Sequence, residues 1–206
     1  MKHLFVLGDS ISIQYGPALH QMLRGRFIYS RKGGLQAGEA EIESPAIANG
    51  GDSSLVLSYL REQASTGFHT DILLLNFGLH DIKQRESGGP CQVPAEQYEQ
   101  NLIEIRALAL TLAEQVIWIR TTLLDDARHT AHCKSFHRLR AHAEAYNAIA
   151  DRVMGVDPVK IADLSGFTDQ LGGEVYCDHV HFTEEVRRLQ AAFLAGSVWH
   201  FAETSP

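Results

Sequence analysis

The stretch Lys2-His3-Leu4-Phe5-Val6-Leu7-Gly8-Asp9-Ser10-Ile11-Ser12 decides the fold. His3 to Leu7 is apolar and partly β-branched, which predicts a short buried strand that halts at a glycine. A strand ending in Gly-Asp-Ser delivers a hydroxyl to the rim of a sheet. Gly8 leaves the backbone free to turn sharply, and a helix starting a few residues later aims its amide dipoles back at that hydroxyl. The plainer alternative is a strand-to-helix turn in which Ser10 or Ser12 serves only as the N-cap.

The same pattern recurs along the chain. Ala18, Leu19, Met22 and Leu23 mark one face of a helix over Tyr15 to Leu23, and Phe27 to Ser30 predicts a second strand. Gly33-Gly34 and Gly38 then signal an irregular connection. Ala46-Ile47-Ala48 leads into Asn49-Gly50-Gly51-Asp52-Ser53-Ser54, a glycine turn whose polar residues can cap a helix carrying Leu55, Tyr59 and Leu60. Asp71 to Phe77 is the strongest strand signal, apolar on both faces and therefore central and parallel, and it runs into Gly78-Leu79-His80-Asp81. A helix follows through Tyr98, Leu102, Ile105, Ala109 and Leu112, then a strand at Val116 to Ile119.

Leu124 to Phe136 is too polar for a strand and reads as a loop; Arg138 to Met154 is helical, and Val159 to Leu164 predicts the last strand. Tyr176-Cys177-Asp178-His179-Val180-His181-Phe182 precedes a helix capped by Thr183 and striped by Val186, Leu189, Phe193 and Val198. About five strands alternating with helices predict a parallel sheet between helical layers. The polar residues that follow these strands fall on one rim, where α/β sheets bind ligands.

The 206 residues suit a single domain spanning 1–206. A formal charge of −7, from 18 basic and 25 acidic residues, argues against nucleic acid as partner. The apolar run Leu4 to Leu7 is too short for a secretory core, and no stretch approaches the ~20 apolar residues of a membrane span. A cytoplasmic location and no membrane partner are therefore expected. Cys91, Cys133 and Cys177 are odd in number and widely spaced, which predicts reduced thiols.

A serine hydroxyl becomes a nucleophile only when a base takes its proton, and that base needs a carboxylate to fix its tautomer. Asp178 and His181 have a spacing that, on a turn before a helix, brings the carboxylate onto His181 Nδ1 and leaves Nε2 for Ser10. Donors for a tetrahedral oxyanion are then available from the amides of Ser10 and Gly51 and from the His80 side chain.

Four blocks in this order resemble the SGNH hydrolases, the GDSL branch of serine esterases and lipases. They are Val6 to Ser12, Gly51-Asp52-Ser53-Ser54, Gly78-Leu79-His80-Asp81 and Asp178-His179-Val180-His181-Phe182-Thr183. The resemblance covers nearly the whole chain. It implies a flavodoxin-like three-layer α/β/α sandwich, Ser10 as nucleophile, His181 as base, Asp178 as its orienter and Gly51 in the oxyanion hole. The third block departs from the family, with His80 in place of the usual asparagine. A neutral imidazole donates one N–H and a cationic one two. Otherwise His80 is a structural histidine bonded to Asp81. Asp9 and Asp81 are expected to brace their turns.

Hydrolysis of a carboxylic ester, with a short acyl group such as acetyl on a small molecule or carbohydrate, is the expected reaction. The alternatives are an acyltransferase and a non-catalytic binding domain on the same fold. No cofactor is expected. His129, His132, Cys133 and His137 lie close together, and His179 and His181 form a pair, but the first set has no matching second cluster and His181 is better placed in the triad. No metal is therefore expected, and the His-rich stretch is read as solvated surface or as a wall of the substrate pocket.

Overall fold

Apolar runs bounded by turn residues become the inner strands of one sheet, and the amphipathic stretches between them cover its two faces. The computed structural model describes residues 1–35 and 47–204, so Gly38 and Ala46 of the second connection lie outside the described residues. In chain order the elements are β1 (Lys2–Gly8), α1 (Ser10–Leu23), β2 (Phe27–Arg31), α2 (Ser53–Ser65), β3 (Thr70–Asn76) and α3 (Ala95–Leu112). They continue with β4 (Ala113–Ile119), α4 (Asp126–His132), α5 (Arg140–Met154), β5 (Lys160–Ala162), α6 (Leu164–Asp169) and α7 (Glu184–Thr204).

All four strand pairings are parallel, in the order β2-β1-β3-β4-β5. This is the doubly wound, flavodoxin-like order. β1 and β3 lie inside the sheet, with Leu4 opposite Ile72 and Gly8 opposite Asn76, so both strands end at the same rim. Leu4, Val6 and Leu7 are buried, as are Ile72 to Leu75 and Val116 to Ile119. Trp118 packs edge-on to Phe77, ring centroids 5.0 Å apart. Burying each large side chain of this kind contributes roughly 1.5–3 kcal/mol. α1 packs against α7, while α3 packs against both α2 and α5, giving three layers. Among the described residues no helix is long and apolar enough to cross a membrane.

Several local expectations change. α1 begins at Ser10 itself, because Asp9 is the N-cap: its Oδ1 accepts from the Ile11 amide at 3.0 Å. Ser12 Oγ instead donates back to the Asp9 carbonyl at 2.7 Å. Gly8 does not occupy a left-handed conformation. A Cβ there would lie 2.5 Å from the Asn76 carbonyl oxygen and 2.8 Å from Ser12 Cβ, so the glycine serves close approach rather than a special turn.

Leu124 to Phe136 is not all loop. Asp125 caps α4 by accepting from the Arg128 amide at 2.6 Å, and the short helix buries His129. α5 starts only at Arg140, while Arg138 is buried against the turn that follows β3, its Nε donating to the Leu79 carbonyl at 2.7 Å. The last strand stops at Ala162, because Asp163 accepts from the Gly166 amide at 2.9 Å and opens α6.

Candidate active site

Ser10 is the first residue of α1, so its amide is one of the opening N–H groups for which a helix has no internal acceptor. Its Oγ lies 2.9 Å from Nε2 of His181, a residue 171 positions away. His181 Nδ1 is in turn 2.6 Å from Asp178 Oδ2. The other carboxylate oxygen, Oδ1, accepts from the amides of Val180 at 2.8 Å and His181 at 2.7 Å. This local turn explains the Asp-x-x-His spacing: the carboxylate folds its own loop and grips the imidazole. The base of the loop is closed by Cys177 donating to the His181 carbonyl and Thr183 to the Val175 carbonyl.

Protonation states follow from these contacts. Burial alone would push the Asp178 carboxyl up, but the amides of His181 and Val180 and the imidazole outweigh it and hold it at about 2. An ionised carboxylate only accepts, so His181 Nδ1 carries a proton and Nε2 turns a lone pair to the Ser10 hydroxyl. Ser10 and His181 are each 5% exposed, which keeps bulk water from competing for this bond.

The glycine turn reaches the same rim. The Gly50 amide donates to the Gly8 carbonyl at 2.8 Å, tying it to the end of β1. Gly51 has φ +73°, and a Cβ there would meet Leu55 Cδ1 at 2.6 Å. Its amide, expected to face an oxyanion, donates instead to Asn49 Oδ1 at 2.8 Å. The structure thus positions Gly51 at the rim with its N–H already engaged.

His80 is buried, and its Nδ1 lies 3.2 Å from Lys83 Nζ. Burial, then the charges of Lys83, Arg138 and His181, push this imidazole down to about 2, so it is neutral across ordinary pH. An ammonium has no lone pair. Nδ1 must therefore accept and Nε2 must carry the ring proton, a single donor. The alternative in which His80 bonds Asp81 is not seen: Asp81 Oδ1 accepts from the Ser53 amide at 2.9 Å, bracing the glycine turn against the third block. Burial pushes the Asp81 carboxyl up to about 8 and the Asp9 carboxyl up to about 6.

Sequence reasoning missed four supports of this rim: Asn49, Asn76, Lys83 and Arg138. Asn76 accepts from the Tyr15 hydroxyl at 3.1 Å and donates to the Ile119 carbonyl at 3.2 Å, joining α1 to β4. A lone amide closing an otherwise apolar strand was its signal. Lys83 and Arg138 carry no motif, and both lie over the Phe136 ring, at 4.8 and 4.7 Å. Beside Lys83 opens a cavity of about 650 Å³, walled by Gln84, Pro90, Cys91, Gln92 and Phe136 among others. Of the His-rich stretch, His129 and Cys133 are brought together with His179. His132 and His137 stay outside that group.

Fold and site define a doubly wound α/β protein with a serine, a histidine and an aspartate in hydrogen-bonded series at the carboxyl rim of its sheet. No protein-family model matches the chain, and no curated protein matches its sequence. Solved structures do match along nearly its full length. A lipase/acylhydrolase from Enterococcus faecalis superposes with a TM-score of 0.71 at 16% identity, over 96% of this chain and 95% of that one. The catalytic domain of a peptidoglycan O-acetyltransferase from Streptococcus pneumoniae gives 0.67 at 15% identity, over 98% and 95%. A carbohydrate esterase family 3 protein from Talaromyces cellulolyticus gives 0.64 at 16% identity, over 100% of both chains. At these identities the likeness establishes the fold, which is the one expected from the resemblance to SGNH hydrolases.

Proposed function

We propose that the protein is an SGNH-type serine esterase that cleaves short-chain carboxylic esters, acetyl esters of small molecules or carbohydrates first among them. The series Ser10 Oγ, His181 Nε2 at 2.9 Å, His181 Nδ1 and Asp178 Oδ2 at 2.6 Å carries this reading. In it, Nε2 takes the Ser10 proton as Oγ attacks the ester carbonyl carbon, and Asp178 stabilises the imidazolium that forms. The oxyanion is met by the Ser10 amide and by His80 Nε2–H. Gly51 joins them once its amide turns from Asn49. Collapse of the tetrahedral species passes the proton from His181 to the departing alcohol and leaves an acyl group on Ser10. Water, deprotonated by His181, then releases the acid.

Structural neighbours support the acetyl preference: besides the carbohydrate esterase, an acetyl xylan esterase from Geobacillus stearothermophilus shares the fold with a TM-score of 0.63 at 12% identity. The O-acetyltransferase neighbour supports a second fate of the same acyl-enzyme, transfer to an alcohol. The deciding experiment is hydrolysis of an aryl acetate by wild type and Ser10→Ala, with phosphonylation of the wild type by a serine-directed reagent. A fall of at least about 10³-fold in kcat is expected on loss of the hydroxyl, with stoichiometric phosphonyl labelling at Ser10. An unchanged rate would rule out the serine mechanism.

A further inference from the structure

Just before α5, and two residues before His181, three soft or borderline donors converge from parts of the chain 50 residues apart. His129 and Cys133 are four apart on α4 and its C-cap, hence on one face. His179 reaches them from the loop that holds Asp178 and His181. Its Nδ1 is 3.1 Å from His129 Nδ1, and the ligand atoms of all three residues lie within 4.8 Å of one another. His129 and Cys133 are buried and His179 is half-buried. Phe136 walls the group, its ring centroid 5.7 Å from that of His129 and 5.9 Å from that of His179.

We propose that His129, Cys133 and His179 form a zinc site that clips α4 to the loop carrying Asp178 and His181. Zinc held tetrahedrally at its usual bond lengths to nitrogen and sulfur separates its ligand atoms by about 3.3–3.6 Å. The two Nδ1 atoms already stand close to such an edge. The thiol has to close by no more than about 1.5 Å, a side-chain adjustment. Three protein donors leave the fourth position to water.

The protons balance without any change of oxidation state. In the metal-free pair one Nδ1 must carry a proton facing the lone pair of the other. On binding, that proton moves to Nε2 of the same ring and the Cys133 thiol gives its proton to solvent, so zinc meets two neutral imidazoles and a thiolate. His181 takes no part, being held between Asp178 and Ser10. The site therefore stands or falls separately from the esterase reading.

The test uses the full chain, stripped of metal and titrated with Co²⁺ as a spectroscopic stand-in for zinc. One equivalent should produce a thiolate-to-cobalt charge-transfer band and the strong visible bands of four-coordinate cobalt, with a dissociation constant of micromolar or below, and Zn²⁺ should displace them. Cys133→Ser should abolish the charge-transfer band. His179→Ala, on the half-buried loop, should weaken binding at least tenfold and keeps the test decisive if Cys133→Ser does not fold. His132→Ala, on the exposed side of α4, should bind as wild type does. Absence of the band, its persistence in Cys133→Ser, or wild-type affinity in His179→Ala would overturn the site.

Discussion

Lys83 Nζ stands 3.2 Å from His80 Nδ1, and this contact chooses the tautomer of the one side chain that departs from the SGNH pattern. With Nδ1 occupied, Nε2–H is left as the ring's one donor, which under the proposed mechanism takes the role that SGNH hydrolases give to an asparagine. The substitution thus preserves one donor at the cost of needing a second residue to orient it.

His80→Ala should lower kcat on an aryl acetate by about 10²–10³-fold while KM moves little, the signature of a donor used only in the transition state. His80→Asn restores a side-chain N–H and should recover much of the loss. Lys83→Met should cost less, about tenfold in kcat, because the ring can still sample the productive tautomer. A change confined to KM in His80→Ala would reassign the residue to ground-state binding.

Asp178 has two jobs, and substitutions separate them. Asp178→Asn keeps an oxygen for the Val180 and His181 amides but loses the charge that fixes the imidazole, so kcat should fall by about 10³–10⁴-fold, with a small drop in melting temperature at neutral pH from the lost carboxylate. Asp178→Ala removes the turn as well and should also lower the melting temperature by a few degrees. Its folded-state pKa of about 2 lies below the ordinary 3.8, so its stabilising contribution is full above pH 4 and is lost as pH falls towards 2. Acid melts of the wild type and Asp178→Asn should therefore converge over that range.

Asp81 has the opposite sign. Its carboxyl titrates at about 8 when folded against 3.8 in the ordinary state, so the folded protein binds the extra proton between those values. Stability must decline as pH rises from about 4 to about 8 and level off beyond. Asp81→Asn keeps an acceptor for the Ser53 amide and carries no charge to bury. Thermal melts should show the variant gaining on the wild type steadily from pH 4 to pH 8, by several degrees at the upper end. A difference independent of pH would contradict the buried, protonated carboxyl.

Gly51→Ala meets two obstacles: φ of +73° and a Cβ contact of 2.6 Å with Leu55 Cδ1. The strained backbone alone costs of order 1–3 kcal/mol, so the melting temperature should drop by several degrees. Activity of the folded fraction should fall with it, because the turn is tied to the end of β1.

The rim was legible in the sequence because its signals are local. Each of Ser10, Gly51, His80 and Asp178 follows a strand or opens a helix, and the Asp178 to His181 spacing encodes a turn that completes itself. What stayed hidden depends on contacts between distant segments. Asn49 engages Gly51, Lys83 orients His80, and Arg138 reaches back 59 residues to the Leu79 carbonyl. The start of α1 was misjudged because Asp9 outcompeted the neighbouring serines as cap. α4 was missed because seven residues are too few to show a helical period. His129 and Cys133 were set aside for want of a partner, and that partner, His179, lies 50 residues further on.

The separation of 171 residues between Ser10 and His181 has a consequence for biosynthesis. At about 5–20 residues per second, a ribosome exposes the serine roughly ten to thirty seconds before the histidine exists. Throughout that interval the nascent polypeptide holds an unactivated alcohol, inert towards the esters around it. Under the proposed mechanism, reactivity arrives only when the loop bearing His181 docks beside Ser10, so prematurely terminated products would be chemically silent rather than promiscuous.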